Sequence, residues 1–292
     1  KQLASRRTFE DTFAEAFSEV FATLGDWVAY DSWYFMGSWP DAFGSLFRAE
    51  FEKHKVSSEL SLREAIDLAR AYTWWQASVS FFPLLDAAIQ ADDRRRYVVE
   101  DGTPIKTPDG ATLSAIIVRP RSKDPLPTLL HFTIYAYPDQ MTNARETAAH
   151  GYPAVIGFTR GKYKSTGPVV PFEKDGDDAR TLIEWITRQP WSEGLVGMFG
   201  GSYTGFTQWA AAKRLPPALQ AIMTSATVAP GIAEPAEGGI FHTYQFPWVP
   251  YTTGGPVVIC GTRCPSITST WMRSAPPRST AAMSRPSAAK SA

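Results

Sequence analysis

Ser202 stands among glycines in the run Gly200-Gly201-Ser202-Tyr203-Thr204-Gly205. The apolar stretch Leu195-Val196-Gly197-Met198-Phe199 precedes it, and the helix-compatible stretch from Phe206 to Lys213 follows. Strand, glycine-flanked turn with a central serine, then helix is the order that a nucleophile elbow requires. Small residues are needed there because a strained turn brings the helix backbone close to the strand. A serine so placed can attack a carbonyl, and the helix N-terminus favours negative charge beside it. The backbone N–H after it, that of Tyr203, would be the first donor to the oxyanion. The literal pattern G-x-S-x-G is displaced, since Thr204 holds the second glycine's place and Gly205 comes one residue later. On these six residues alone, a glycine-rich turn that binds phosphate or merely packs is the competing reading. A Walker loop is excluded because no Gly-Lys-Ser/Thr follows.

A serine nucleophile on such a turn needs an acid and a histidine, in the chain order Ser, Asp or Glu, His. After Ser202 there is no Asp, only Glu234, Glu237 and the single histidine His242. The acid and the base should each follow a further strand, and the interval from Glu237 to His242 has no room for one. The expectation is that both are missing from this chain and that His242 belongs to a cap. The other histidines precede the serine and read as structural, His150 as a cation at a helix C-terminus and His131 as a hydrogen-bonded core residue. Cys260 and Cys264 are the only cysteines. C-x3-C without further Cys or a nearby His cannot complete a four-ligand zinc site, so no metal and no organic cofactor is expected.

The elements that must position Ser202 follow from periodicity. Phe9, Phe13, Phe17 and Phe21 recur every four residues among Glu10, Asp11, Glu15 and Glu19, an amphipathic helix. A second helix opens at Ser61 with Glu64 completing a capping box, and is expected to end near Phe82, ahead of Pro83. Trp33-Tyr34-Phe35 and Trp39-Pro40 between them are not assigned. Residues 1–94 thus read as an all-α region, with Arg94-Arg95-Arg96 as a solvated linker. From Tyr97 the period changes to that of strands, with a tight turn at Pro108-Asp109-Gly110. Strands at Thr128–Phe132, Pro153–Phe158, Leu195–Phe199 and Ala221–Ser225 then alternate with helices at 144–150, 177–187 and 203–213. That alternation implies βαβ units and a mainly parallel sheet. The expected fold class is α/β: a core of residues 95–229 carrying the nucleophile half, the start of a cap over 230–255, and an irregular tail over 256–292. The tail has no acidic residue and little periodicity, so it reads as disordered or as frame-altered sequence.

Residues 190–205 together with Ile183-Glu184-Trp185-Ile186 closely resemble the nucleophile region of the cocaine esterase and X-prolyl dipeptidyl-peptidase (CocE/NonD) group of serine hydrolases, where G-x-S-Y-x-G is usual. Arg160-Gly161-Lys162-Tyr163-Lys164-Ser165-Thr166-Gly167 is similar to that group's D-x-R-G-x-x-x-S-x-G stretch, with Phe158 in place of its Asp. Thr133-Ile134-Tyr135 stands where the group has T-P-Y, whose Tyr hydroxyl completes the oxyanion hole. The resemblance covers residues 96 to 250 and implies an α/β-hydrolase fold. It makes Ser202 the nucleophile, and Tyr203 N–H and Tyr135 O–H the oxyanion donors, with Tyr137 as the substitute for Tyr135. It implies hydrolysis of an ester or amide, with substrates ranging over proline-containing peptides, aryl esters, amino-acid esters and β-lactam side chains. An X-prolyl dipeptidyl-peptidase-like or acyl esterase activity is the first expectation. A catalytically inactive truncated remnant or partner-binding module is the alternative.

The bulk properties are permissive. Lys plus Arg and Asp plus Glu each number 29, so no net field favours nucleic acid or an anionic membrane. A small-molecule or short-peptide acyl substrate is the expected partner, and the oligomeric state stays open. No apolar run reaches the length of a membrane span. Arg6-Arg7 is followed by Phe9-Glu10-Asp11-Thr12 rather than an apolar segment, which argues against a twin-arginine signal. With two cysteines in the chain, a reducing cytoplasm is the expected compartment.

Overall fold

The computed structural model describes residues 7–37, 39–232 and 234–254. The tail expected over 256–292, with Cys260 and Cys264, lies outside the described residues, as does Arg6.

Four helices open the chain: α1 (Phe9–Ala22), α2 (Asp26–Met36), α3 (Trp39–His54) and α4 (Leu62–Arg96). The phenylalanine stripe of α1 buries Phe17 and Phe21 against Ala29 of α2 and Leu85, Ala88 and Ile89 of α4. The unassigned aromatic stretch is α2 and the start of α3, with Trp33 packed on the same cluster. Helix α4 begins with the capping box at Ser61 and Glu64, as expected, but it does not stop before Pro83. It continues for 35 residues with Pro83 inside it. An interior proline costs a helix roughly 3 kcal/mol and frees one carbonyl. Here Pro83 lies on the exposed side, where water can serve that carbonyl, while the next turns bury Leu85, Ala88 and Ile89. That burial holds the helix together past the proline.

The basic triplet is likewise not a solvated linker. Arg94 and Arg95 are exposed, but Arg96 is buried. Its guanidinium pairs with Asp92 and Asp26, each at 2.6 Å, and donates to the carbonyls of Leu24, at 3.0 Å, and Phe21. The last turn of α4 is thereby tied to the end of α1 and the start of α2.

The sheet has the order β1-β2-β4-β3-β5-β6, comprising β1 (Tyr97–Lys106), β2 (Thr112–Pro120), β3 (Leu126–Thr133), β4 (Ala154–Phe158), β5 (Ser192–Gly201) and β6 (Leu219–Ser225). β1 and β2 form the expected hairpin, while β4, β3, β5 and β6 run parallel. The period-2 alternation of strand side chains divides two cores. Leu113, Ala115 and Ile117 of β2 face α6 (Asp175–Ile186) and α7 (Tyr203–Ala212) with Leu130, Phe132, Val196 and Met198. Ile116 and Val118 face the opposite way, onto Ala144 and Ala148 of α5 (Gln140–Ala149).

This order fixes where a site can form. From β3 the chain crosses through α5 to β4 on one side, whereas β5 pairs on the other side of β3. The crevice beyond the carboxyl ends of β3 and β5 is therefore a topological switch point, where open α/β sheets bind ligands. Beyond β6 lie the two-residue strands β7 (Ala236–Glu237) and β8 (Ile240–Phe241) and helix α8 (Gln245–Thr253). Glu234 is buried at their base and accepts hydrogen bonds from Tyr244 and Gln245. Among the described residues no helix is long and apolar enough to cross a membrane.

Candidate active site

Ser202 sits between the last residue of β5 and the first of α7 with φ 56° and ψ −123°. A non-glycine residue in that conformation is strained, and such strain persists only where neighbours over-determine it. The neighbours are identifiable. Ser202 N–H donates to Ser225 O of β6 at 3.0 Å, while its own carbonyl accepts from Gly205 and Phe206. Thr207 Oγ1 donates to Phe132 O of β3 at 2.9 Å, and the Gln208 amide donates to Gly200 O at 3.0 Å. Both side chains are fully buried, so α7 is pinned to β3 and β5 by polar groups that an apolar helix stripe would not lead one to single out.

The displaced glycine has a steric reason. A Cβ on Gly205 would lie 2.5 Å from Thr227 Oγ1 and 3.2 Å from the Thr227 Cα. One turn into α7 the helix rests directly on the backbone that leaves β6, and no side chain fits between. Thr204 needs no such space and instead turns its hydroxyl onto Gly201 O at 2.7 Å.

The Ser202 side chain is exposed and caps nothing in the helix. Tyr203 is the first helical residue, so its N–H is among the donors that a helix start leaves without an intrahelical partner. Its ring points the other way and is buried. The Tyr203 hydroxyl donates to Asp175 Oδ1 at 2.9 Å and accepts from Phe172 N–H at 3.1 Å. Burial pushes the Asp175 carboxyl up to about 6, against the lowering effect of the Tyr203 hydroxyl. Burial, and then Asp175, push the Tyr203 phenol up.

Tyr135 lies two residues past the end of β3, on the far side of the switch-point crevice from Ser202. Its hydroxyl accepts from Trp248 Nε1 of α8 at 3.1 Å, and its ring meets that of Tyr203 edge-on at 6.3 Å. Tyr137 stacks on Tyr135 at 5.5 Å, but its hydroxyl is paired with that of Tyr251 at 3.1 Å. Both candidate side-chain donors therefore accept a hydrogen bond, Tyr135 from an indole N–H that can only donate and Tyr137 from another phenol, and the Tyr135 proton has no partner among the described residues.

Each histidine makes contacts of its own. His150 is at the C-terminal cap of α5, as its neighbours suggest, and its ring stacks on Trp27 at 4.1 Å, joining the helical region to the core. His131 lines the α5 face of the sheet, where burial pushes its pKa down. It meets the Phe199 backbone, but its Nδ1 is buried without a partner, so the expected hydrogen bonding is incomplete. His54 is 3.9 Å from Glu64, in the helical region. His242 packs on Tyr244 at 5.3 Å with its Nε2 buried and unpartnered. Among the described residues no histidine is hydrogen-bonded to Ser202, and none in the α/β part pairs with a carboxylate.

The 160 loop is built on Arg160, which holds Asp178 of α6 at 2.7 Å and Asp109 of the hairpin turn at 2.8 Å. Ser165 closes it by donating to Phe158 O at 3.0 Å. Phe158 itself is buried against Tyr163. Asp175, Trp248, Thr207 and Gln208 are site-building residues that sequence reasoning misses. A polar pair inside the apolar stretch Phe206–Ala212 is the signal available for the last two, and none marks the first two.

A family model described as X-Pro dipeptidyl-peptidase (S15 family) matches residues 109–258. The cocaine esterase of Rhodococcus sp. (strain MB1 Bresler) is 36% identical over 169 residues, a stretch that is 56% of this chain and 27% of that protein's length. Among solved structures, an aminopeptidase from the marine sediment archaeon Thaumarchaeota archaeon gives a TM-score of 0.49 at 23% identity, covering 58% of this chain and 32% of that one. A CocE/NonD family hydrolase from Staphylococcus aureus gives 0.47 at 25% identity, covering 55% and 34%. The matched stretch takes in the hairpin turn, the Arg160 loop, the whole Ser202 turn and α8, and the chain belongs to the X-Pro dipeptidyl-peptidase (S15) family.

Proposed function

We propose that this chain carries the nucleophile and the oxyanion donors of a serine acyl hydrolase acting on an ester or amide of a small molecule or short peptide. The observation that carries this reading is Ser202, exposed and held at φ 56° between β5 and α7. Strain of that kind has no packing purpose at an exposed serine, but it does set a hydroxyl above the strand ends. In the proposed reaction Ser202 Oγ attacks the acyl carbon, and its proton leaves with the departing alcohol or amine. Tyr203 N–H and Tyr135 O–H stabilise the oxyanion. Water then adds to the acyl-serine, releasing the acid and restoring the hydroxyl. No cofactor takes part. The cocaine esterase relative and the family description point to aryl esters and X-prolyl peptides as the first substrates to try.

The chain spans 27% of the length of the cocaine esterase it matches, and the described residues give Ser202 no base. A second reading is a catalytically inactive module that binds a partner: His242, the one histidine after Ser202 in the sequence, has its Nε2 buried and not hydrogen-bonded to the serine. Prolonged exposure to a fluorophosphonate followed by intact mass and peptide mapping separates the two. The hydrolase reading expects one phosphonyl adduct, on Ser202, absent in Ser202→Ala. No adduct, or an adduct elsewhere, favours the inactive module.

A further inference from the structure

We propose that Trp248 is a positioning residue that aims the Tyr135 hydroxyl proton at the oxyanion site, an inference that rests on the hydrolase reading above. An indole N–H can only donate. In the 3.1 Å contact between Trp248 Nε1 and the Tyr135 hydroxyl, Tyr135 must therefore be the acceptor. With one lone pair engaged, the phenolic proton is directed away from Trp248, and no described residue accepts it. Tyr137 also accepts, from the Tyr251 hydroxyl, but a phenol can reverse its role whereas an indole cannot, so only the Tyr135 rotor is fixed in one sense by its partner.

The indole is itself held by packing. Phe172 stacks on it at 5.7 Å with an interplanar angle of 18°, and Tyr203 lies at 6.0 Å and 31°. Phe172 is tied by its N–H to the Tyr203 hydroxyl, which is tied in turn to Asp175. One aromatic unit thus links the residue that supplies the backbone donor to the one that supplies the side-chain donor. Helix α8, which is 113 residues away from Tyr135 in sequence, contributes to the site by fixing a rotor that would otherwise swing about the phenol C–O bond. A donor fixed in advance stabilises developing charge without reorganisation.

The test is formation of a tetrahedral adduct with phenylboronic acid by the full chain, followed by 11B NMR, because the boronate oxygen mimics the oxyanion and the boron shift reports the covalent state. Trp248→Phe keeps an aromatic ring in place and removes the N–H. The expected result is that Trp248→Phe and Tyr135→Phe each weaken adduct formation about tenfold, the worth of one hydrogen bond to a charged group at the lower end. The double variant should be no weaker than Tyr135→Phe alone, since Trp248 acts through that hydroxyl. Equal affinity of Trp248→Phe and wild type, or losses that multiply in the double variant, overturns the positioning role and leaves the hydrolase reading standing. No tetrahedral boron in the wild type, or its persistence in Ser202→Ala, overturns the hydrolase reading and this inference together. Should Trp248→Phe fail to fold by circular dichroism, a benzothienylalanine at position 248 keeps the indole shape without the N–H, and the same outcomes apply.

Discussion

Tyr203 donates its hydroxyl proton to Asp175 across 2.9 Å, and both groups are buried beneath the turn that presents Ser202. The contact joins the first turn of α6 to the first turn of α7. Tyr203, the first residue of α7, is therefore anchored by its side chain, while its N–H is one of those a helix start leaves without an intrahelical partner.

Asp175 is pushed up to about 6 by burial, whereas an aspartate in the unfolded chain titrates near about 4. The folded state holds the proton longer, so the protein loses stability as pH rises through the window from about 4 to about 6. The shift corresponds to about 3 kcal/mol. Asp175→Asn retains an oxygen to accept from Tyr203 and removes the titration. Urea denaturation should show the variant gaining on the wild type by up to that amount between pH 4 and pH 8. A difference that is flat with pH would mean Asp175 titrates as an ordinary exposed carboxylate.

Gly205→Ala should destabilise the chain by roughly 1–3 kcal/mol, the usual effect of overpacking. The new methyl would lie 2.5 Å from Thr227 Oγ1. That hydroxyl is buried without a partner, so its removal loses no hydrogen bond. Thr227→Ala is expected to recover part of the loss, though not all, because the Thr227 Cα remains 3.2 Å from the same position. Thermal melts of the two single variants and the double decide the matter. Full additivity would show that the two residues do not share the strain.

The turn at Ser202 and the alternation around it are legible in the sequence because short apolar runs, glycines and helix starts lie next to one another in the chain. The same local signals mislead at Pro83, a breaker on an exposed face whose helix is held by burial of Leu85, Ala88 and Ile89 further on. They mislead again at Arg96, which looks like its exposed neighbours Arg94 and Arg95 but has Asp92, Asp26 and two carbonyls around it. The contact of Trp248 with Tyr135 is not legible at all. Periodicity says which face of an element is apolar, not which distant element meets it.

Arg160 holds the buried Asp178 and the exposed Asp109 together. Burial raises the Asp178 carboxyl and the Arg160 guanidinium opposes it. Arg160→Met leaves Asp178 charged and unpaired in the interior, which costs about 3–5 kcal/mol at neutral pH. Without the guanidinium, Asp178 rises further above its unfolded value, so the variant's stability should fall as pH rises from 4.5 to 7.5, while the wild type changes less. Adding Asp178→Asn should restore part of the loss at pH 7.5. A deficit that is the same at both pH values, measured by urea denaturation, would place the role of Arg160 in packing rather than in charge.

The chain alone should hydrolyse p-nitrophenyl acetate slowly. Ser202 is exposed, but no described histidine is hydrogen-bonded to it, and a serine without a base is a weak nucleophile at neutral pH. On the proposed hydrolase reading, what remains is the contribution of binding and the oxyanion donors, roughly 10³ to 10⁴-fold over water. Ser202→Ala should remove that residue of activity. His242→Ala should leave it unchanged within about twofold, because His242 packs on Tyr244 with an unpartnered Nε2 and a base contributes by proton transfer only within hydrogen-bond reach. Stopped-flow release of p-nitrophenolate from the 292-residue chain separates the cases. Many turnovers per second, lost in both variants, would make His242 the base and this chain a complete enzyme.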